Sequence, residues 1–236
     1  MSQELDLRGL LEGRVKSIEE EIEGTRQRVY GLTLGTVTSL IDPKFLGRVK
    51  VSFPWLSSSV DSAWARIATA WAGGSRGTYL LPEVGDEVVV AFLHGDLKHP
   101  YIVGFAWNDT DRPPEVSPLL ERRELKSKSG HKVMFDDLPG LWSLTLESQG
   151  GHTVKLDDTA GAMNISISDS SQNLSIVLDS VTGKITISTA VGEIALSAPA
   201  GRISLDAANV DIHATAALNL QGDGAVSMTG AVVKIN

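Results

Sequence analysis

Cysteine is absent from all 236 positions, so disulfide frameworks, thiolate metal sites and cysteine nucleophiles are excluded. Cohesion has to come from packing and assembly. No run of 18 apolar residues occurs, and the opening stretch MSQELDLRGLLEGRVKS has no apolar segment of signal-peptide length. Synthesis in the cytoplasm without a conventional export signal is the expected route. Aromatic residues are spent early: 11 of 13 precede position 133 and none follows Trp142. The first part can therefore fill a core of ordinary thickness, while the last part has only aliphatic side chains to bury. Pro199 is the one proline after position 140, as suits densely paired backbone. Basic residues also thin out. Positions 133–236 hold 11 Asp and Glu against 4 Lys and Arg, a balance of −7 within the total of −8. Nucleic acid is a poor partner for such a tail, because phosphate binding needs excess Lys and Arg.

What the tail does have is a repeat. Pairs of aliphatic residues flank one polar or small residue: Ile165 and Ile167, Ile176 and Leu178, Ile185 and Ile187, Ile194 and Leu196, Ile203 and Leu205, Val210 and Ile212, Leu218 and Leu220, Val226 and Met228, Val233 and Ile235. First members are 11, 9, 9, 9, 7, 8, 8 and 7 residues apart. Period 2 puts both members of a pair on one face of a strand, and short Ser, Asp, Gly or Ala stretches between pairs are where the chain turns. No unit can bury so narrow a face alone, so the units must stack into a solenoid or intertwine with copies of themselves.

Ahead of the tail, residues 4–28 have helical spacing, with Leu11, Val15, Ile18 and Ile22 at steps of 4, 3 and 4 and glutamates alongside. That stripe suits either docking on its own domain or association with another chain. From 30 to 108 the pattern becomes alternating strands, expected near 32–41, 47–53, 63–70, 87–93 and 101–106, separated by Gly and Asp turns. Five strands with Phe53, Trp64 and Phe92 as expected core aromatics suit a small OB-type barrel. Residues 109–124 hold three prolines and several charges and read as a linker.

Three stretches, in order, resemble the central spike proteins of contractile injection systems, a group that includes phage baseplate assembly protein V, tailocin spikes and the VgrG spikes of type VI secretion. They are Gly35-Thr36-Val37 with Gly47-Arg48-Val49-Lys50-Val51 and Phe53-Pro54-Trp55; Leu81-Pro82-Glu83-Val84-Gly85-Asp86-Glu87-Val88-Val89-Val90 with Gly95-Asp96; and Lys128-Ser129-Gly130-His131-Lys132-Val133-Met134-Phe135-Asp136-Asp137. The resemblance implies a mainly β protein: a short N-terminal helix (1–29), an OB-fold collar (30–108), a linker (109–124) and an intertwined triple-stranded β-helix needle (125–236) in a homotrimer. The pairs from Ile165 to Met228 would then form the trimer core. The helical stripe would dock on a baseplate hub, expected as a separate protein because no large hub-like region precedes the barrel. Val232, Val233, Lys234, Ile235 and Asn236 would form a blunt apex for a PAAR-type tip protein. Function would be mechanical puncture of a target envelope from the baseplate of a phage-tail-like particle, with no enzyme, cofactor or nucleic acid involved.

Sites for other chemistry are thin. Asp136 with Asp137 and Asp157 with Asp158 could be imagined as acid and base. Neighbours on a strand point to opposite faces, however, so turn residues are expected there. His94, His99, His131, His152 and His213 have no ligand spacing, and no metal site is expected. Trp55, Trp64 and Trp71 could form a stacking platform, but an acidic chain lacks the basic groove that nucleic-acid binding needs. A polysaccharide-binding β-solenoid adhesin is the alternative function, and it would call for aromatic ladders along the tail.

Overall fold

A computed structural model describes residues 13–17, 28–56, 61–114 and 121–234. The chain divides into two compact units, 1–124 and 125–236. Residues 13–17 are helical; the rest of the expected helix lies outside the described residues.

The first unit is a five-stranded barrel. Strands β1 (Leu32–Ser39), β2 (Lys50–Ser52), β3 (Arg66–Ile67), β6 (Glu87–Phe92) and β7 (Pro100–Phe105) pair in the order β2-β1-β6-β7-β3, with β3 parallel to β7. Val49 and Ala65 exchange backbone hydrogen bonds of 3.0 and 2.8 Å, which joins the two edges and closes the barrel. Alternation decides what lies inside. Val88, Val90 and Phe92 of β6 are buried between half-buried Glu87, Val89 and Ala91, and they meet Val37, Val49, Val51, Phe53, Ala65 and Ile102 in one core.

Trp64 is a correction to the expected core. Ala65 faces in, so Trp64 faces out, and it lies half-buried beneath the Arg48 and Lys50 cations at 5.7 and 5.5 Å. A small hairpin, β4 (Ala72–Gly73) and β5 (Arg76–Gly77), stands off this barrel as an arm.

The turn after β1 is held by the buried Asp42. Its carboxylate accepts backbone N–H bonds from Lys44 and Leu46, both at 3.0 Å, and a two-pronged bond from Arg48 at 2.6 and 2.9 Å. The Arg48 guanidinium and these N–H groups hold its pKa far below the usual carboxylate range.

The second unit is an antiparallel meander of seven strands: β8 (Arg122–Lys126), β9 (Lys132–Asp136), β10 (Ser143–Glu147), β11 (Thr153–Asp157), β12 (Asn164–Ser168), β13 (Leu174–Asp179) and β14 (Lys184–Thr189). Because β8 begins at Arg122, the last three residues of the expected linker are strand.

Turn chemistry explains the meander. At four turns an aspartate accepts backbone N–H groups two or more residues ahead: Asp136 from Leu138, Asp157 from Thr159, Asp169 from Ser171 and Leu174, Asp179 from Val181 and Thr182. Each is followed by a residue with positive φ, namely Gly140, Gly161, Gln172 and Gly183. Among the described residues none after Gly192 has positive φ, and residues 193–234 form no strand ladder in the single chain. The repeat therefore splits: its first three pairs form β12, β13 and β14, and the pairs from Ile194 to Met228 find no partner strand within their own chain.

Candidate assembly faces

The registers of the second unit bring the aliphatic pairs into two straight columns. One runs Phe135, Leu144, Leu156, Ile165, Leu178, Ile185; the other runs Val133, Leu146, Val154, Ile167, Ile176, Ile187. Cross-strand pairs of this kind are the unit of sheet stabilisation. Here, however, they stabilise only one side. Ile165, Ile167, Ile176, Leu178, Ile185 and Ile187 are all exposed, while Ser166, Val177 and Thr186, between them on the opposite face, are half-buried. In a self-sufficient domain the apolar face would be the covered one.

The sheltered face is held by polar contacts. Lys132 Nζ donates to Glu147 at 3.2 Å, Thr153 and Ser168 hydroxyls bond at 2.8 Å, and Ser175 and Ser188 hydroxyls do the same at 2.8 Å. Lys155 Nζ donates to Asp157 at 2.7 Å; that bond, with those from Thr159, lowers the Asp157 pKa to about 2.

Beyond β14 the asymmetry continues with unusual regularity. First members Ile194, Ile203, Val210, Leu218, Val226 and Val233 are each between 51% and 54% exposed, and second members Leu196, Leu205, Ile212, Leu220 and Met228 between 60% and 71%. Units 7 to 9 residues long thus repeat one pattern of exposure, with the aliphatic side left open. Val232, Val233 and Lys234 are exposed at the end of this stretch, while Ile235 and Asn236 lie outside the described residues. Of the N-terminal stripe only Val15 is described, 53% exposed on the short helix; Leu11, Ile18 and Ile22 lie outside.

Asp136 and Asp157 end β9 and β11, and each accepts an N–H from the turn that follows. Among the described residues no group of three His, Cys, Asp or Glu side chains is close enough to hold a metal ion. No helix among them is long and apolar enough to cross a membrane. The three tryptophans do not make one platform: Trp55 tilts against Phe53 at 5.5 Å and donates its indole N–H to Thr33 at 2.9 Å, Trp64 sits under cations, and Trp71 begins the arm.

One feature escaped the reading of the sequence. Ser127-x-x-Gly130-His131-x-Val133-x-Phe135-Asp136-Asp137 recurs 21 residues later as Ser148-x-x-Gly151-His152-x-Val154-x-Leu156-Asp157-Asp158. The two turns have the same bonds. The Ser hydroxyl accepts the His N–H at 3.0 Å, and the Ser N–H donates to the His carbonyl at 2.8 and 2.9 Å. Gly130 and Gly151 supply φ of 99° and 85°. His131 also ties the turns together, since its Nδ1 accepts the Gln149 N–H at 3.1 Å, which fixes the Nε2–H tautomer. The 21-residue self-match was the available signal.

Comparison with known proteins agrees with the barrel and its neighbours. Residues 33–107 match the type VI secretion system/phage-baseplate injector OB domain. The chain is 29% identical over 143 residues to the type VI secretion system spike protein VgrG2a of Pseudomonas aeruginosa, covering 52% of this chain and 17% of that protein. It is 36% identical over 104 residues to the spike protein VgrG3 of Vibrio cholerae, and 33% identical over 104 to the actin cross-linking toxin VgrG1 of Vibrio cholerae, in each case 40% of this chain and 10% of the relative. The matched region is thus a small fraction of these much longer proteins. The closed five-stranded barrel is thus of the injector OB type, and the chain is similar to VgrG spike proteins over 40 to 52% of its length.

Proposed function

We propose that three copies of this chain assemble into the central spike of a contractile injection particle, with the barrels as a collar and the tails wound into one needle. The uncovered aliphatic side of the tail carries this reading. The column residues from Ile165 to Ile187, then eleven aliphatic residues from Ile194 to Val233, are exposed in the single chain. Turning three such sides to a common axis buries them at about 1.5 to 3 kcal/mol per side chain. It also gives the unpaired backbone of 193–234 partners from neighbouring copies. Two copies would make a flat sandwich with open edges; three close a prism and leave none.

The action is mechanical and non-enzymatic. A stiff needle concentrates the force of sheath contraction on a small area of the target envelope, and no step of chemistry is needed. The stripe Leu11, Val15, Ile18 and Ile22 docks on the baseplate hub, and Val232 to Asn236 seat a PAAR-type tip protein. Light scattering tests the core of this reading: a mass of three chains is expected, and a stable monomer would overturn it. Deletion of 232–236 is expected to leave that mass unchanged and abolish tip-protein binding; retained binding rejects the tip assignment.

A further inference from the structure

The barrel unit has a groove of about 960 Å³ between β3 and the β4–β5 arm, and the spike reading gives it no task. Its walls are apolar and open: Leu46, Trp71, Tyr79 and Phe105 line it, with Trp71 58% and Tyr79 73% exposed. Its charged lining residues are all arginines, Arg48, Arg66 and Arg76, with no carboxylate among them. Arg48 is neutralised by Asp42. Arg66 lies over the Tyr101 ring, 5.9 Å from its centroid, and donates to the Tyr101 hydroxyl. The groove therefore suits an acidic segment with flat, rigid apolar residues.

The same unit displays such a segment. Phe105, at the end of β7, lines the groove, and four residues later comes Asp109-Thr110-Asp111-Arg112-Pro113-Pro114. This loop is preformed. Asn108 Oδ1 accepts the N–H groups of Thr110 and Asp111 at 2.9 and 2.6 Å, and the Asn108 N–H donates to the Asp111 carbonyl at 3.0 Å. Asp109 and Asp111 are exposed on that turn, and neither lines the groove of its own copy.

We propose that in the trimer this 109–114 loop of each copy seats in the groove of its neighbour. The prolines lie against Trp71 and Tyr79, and Asp109 and Asp111 face Arg66 and Arg76. Proline loses little freedom on docking and stacks well on aromatic walls. A loop already fixed by Asn108 loses little more, and opposite charges set the register. The collar would then be locked by an exchange of loops, independently of the needle. The inference rests on the three-copy reading above.

The absence of cysteine makes the test clean. In an Ala72→Cys, Thr110→Cys chain treated with a short bismaleimide, linked dimers and trimers are expected on a denaturing gel. Arg76→Glu in that background is expected to cut the linked fraction roughly five-fold, as loss of an exposed ion pair allows, and adding Asp111→Arg to restore it. Only unlinked or internally closed chains, from a sample that light scattering shows to be trimeric, would overturn the exchange and leave the spike standing. A linked fraction unaffected by Arg76→Glu would overturn the charge contact. A monomer before treatment would overturn the three-copy reading and this inference together.

Discussion

Single residues fix the barrel by leaving no room. A Cβ on Gly35 would press into Val51 Cγ1 and lie 2.9 Å from the Ser52 carbonyl oxygen, backbone that cannot step aside. Gly35→Ala is expected to destabilise the barrel by about 1 to 3 kcal/mol in chemical denaturation, as overpacking does. Asp157 makes a second prediction, with a definite sign. Its folded pKa is lowered from 3.8 to about 2, chiefly by Lys155, so the carboxylate stabilises the fold fully above pH 4. That contribution fades as pH falls from about 4 to 2. The denaturation midpoint of Asp157→Asn should lie below wild type at neutral pH and converge on it through this window; a constant gap between pH 6 and 2 would show that the Lys155 bond contributes nothing. These roles were only half legible. Asp136 and Asp157, expected in turns, are the last residues of β9 and β11, and which N–H groups of the following turn they accept depends on the folded turn.

At the scale of the element, the tail sheet is specified by period and finished by turns. Alternation predicted that Ile165 and Ile167 share a face, and the registers Ile165↔Leu178 and Ile167↔Ile176 place that face in line with the next strand's pair. Ile176→Asp tests what the columns are for. A carboxylate in mid-column, repeated in three copies, is expected to reduce the assembly to one third of its mass. The barrel tryptophans should keep their near-ultraviolet signal, because the core from Val37 to Ile102 lies in the other unit. A trimer of unchanged stability would remove the columns from the interface. Trp64 shows the limit of reading elements from composition. A tryptophan in a strand suggests core, yet burial of Ala65 next to it dictates the opposite face.

For the whole molecule, the decisive fact is that in β12 to β14 the aliphatic pairs are exposed while Ser166, Val177 and Thr186 between them are half-buried. If the proposed three-copy assembly covers these residues, the stability of the tail is tied to concentration. Thermal unfolding followed on the tail should shift to higher temperature as protein concentration rises; a midpoint constant over a hundredfold range would mean a self-contained tail. Electron microscopy of the same sample is expected to show a rod with a collar.

The sequence by itself determined the strand period, the aliphatic faces and the five-stranded barrel, because each depends on residues close together in the chain. Only the tertiary structure decided where pairing within one chain stops. That boundary depends on turns: aspartate-capped reversals with positive φ carry the meander to Thr189, and the described residues after Gly192 have none. It also decided which side of the sheet is left open and where the arm and barrel leave a groove. Those features arise from residues far apart in sequence, whose meeting no local pattern encodes.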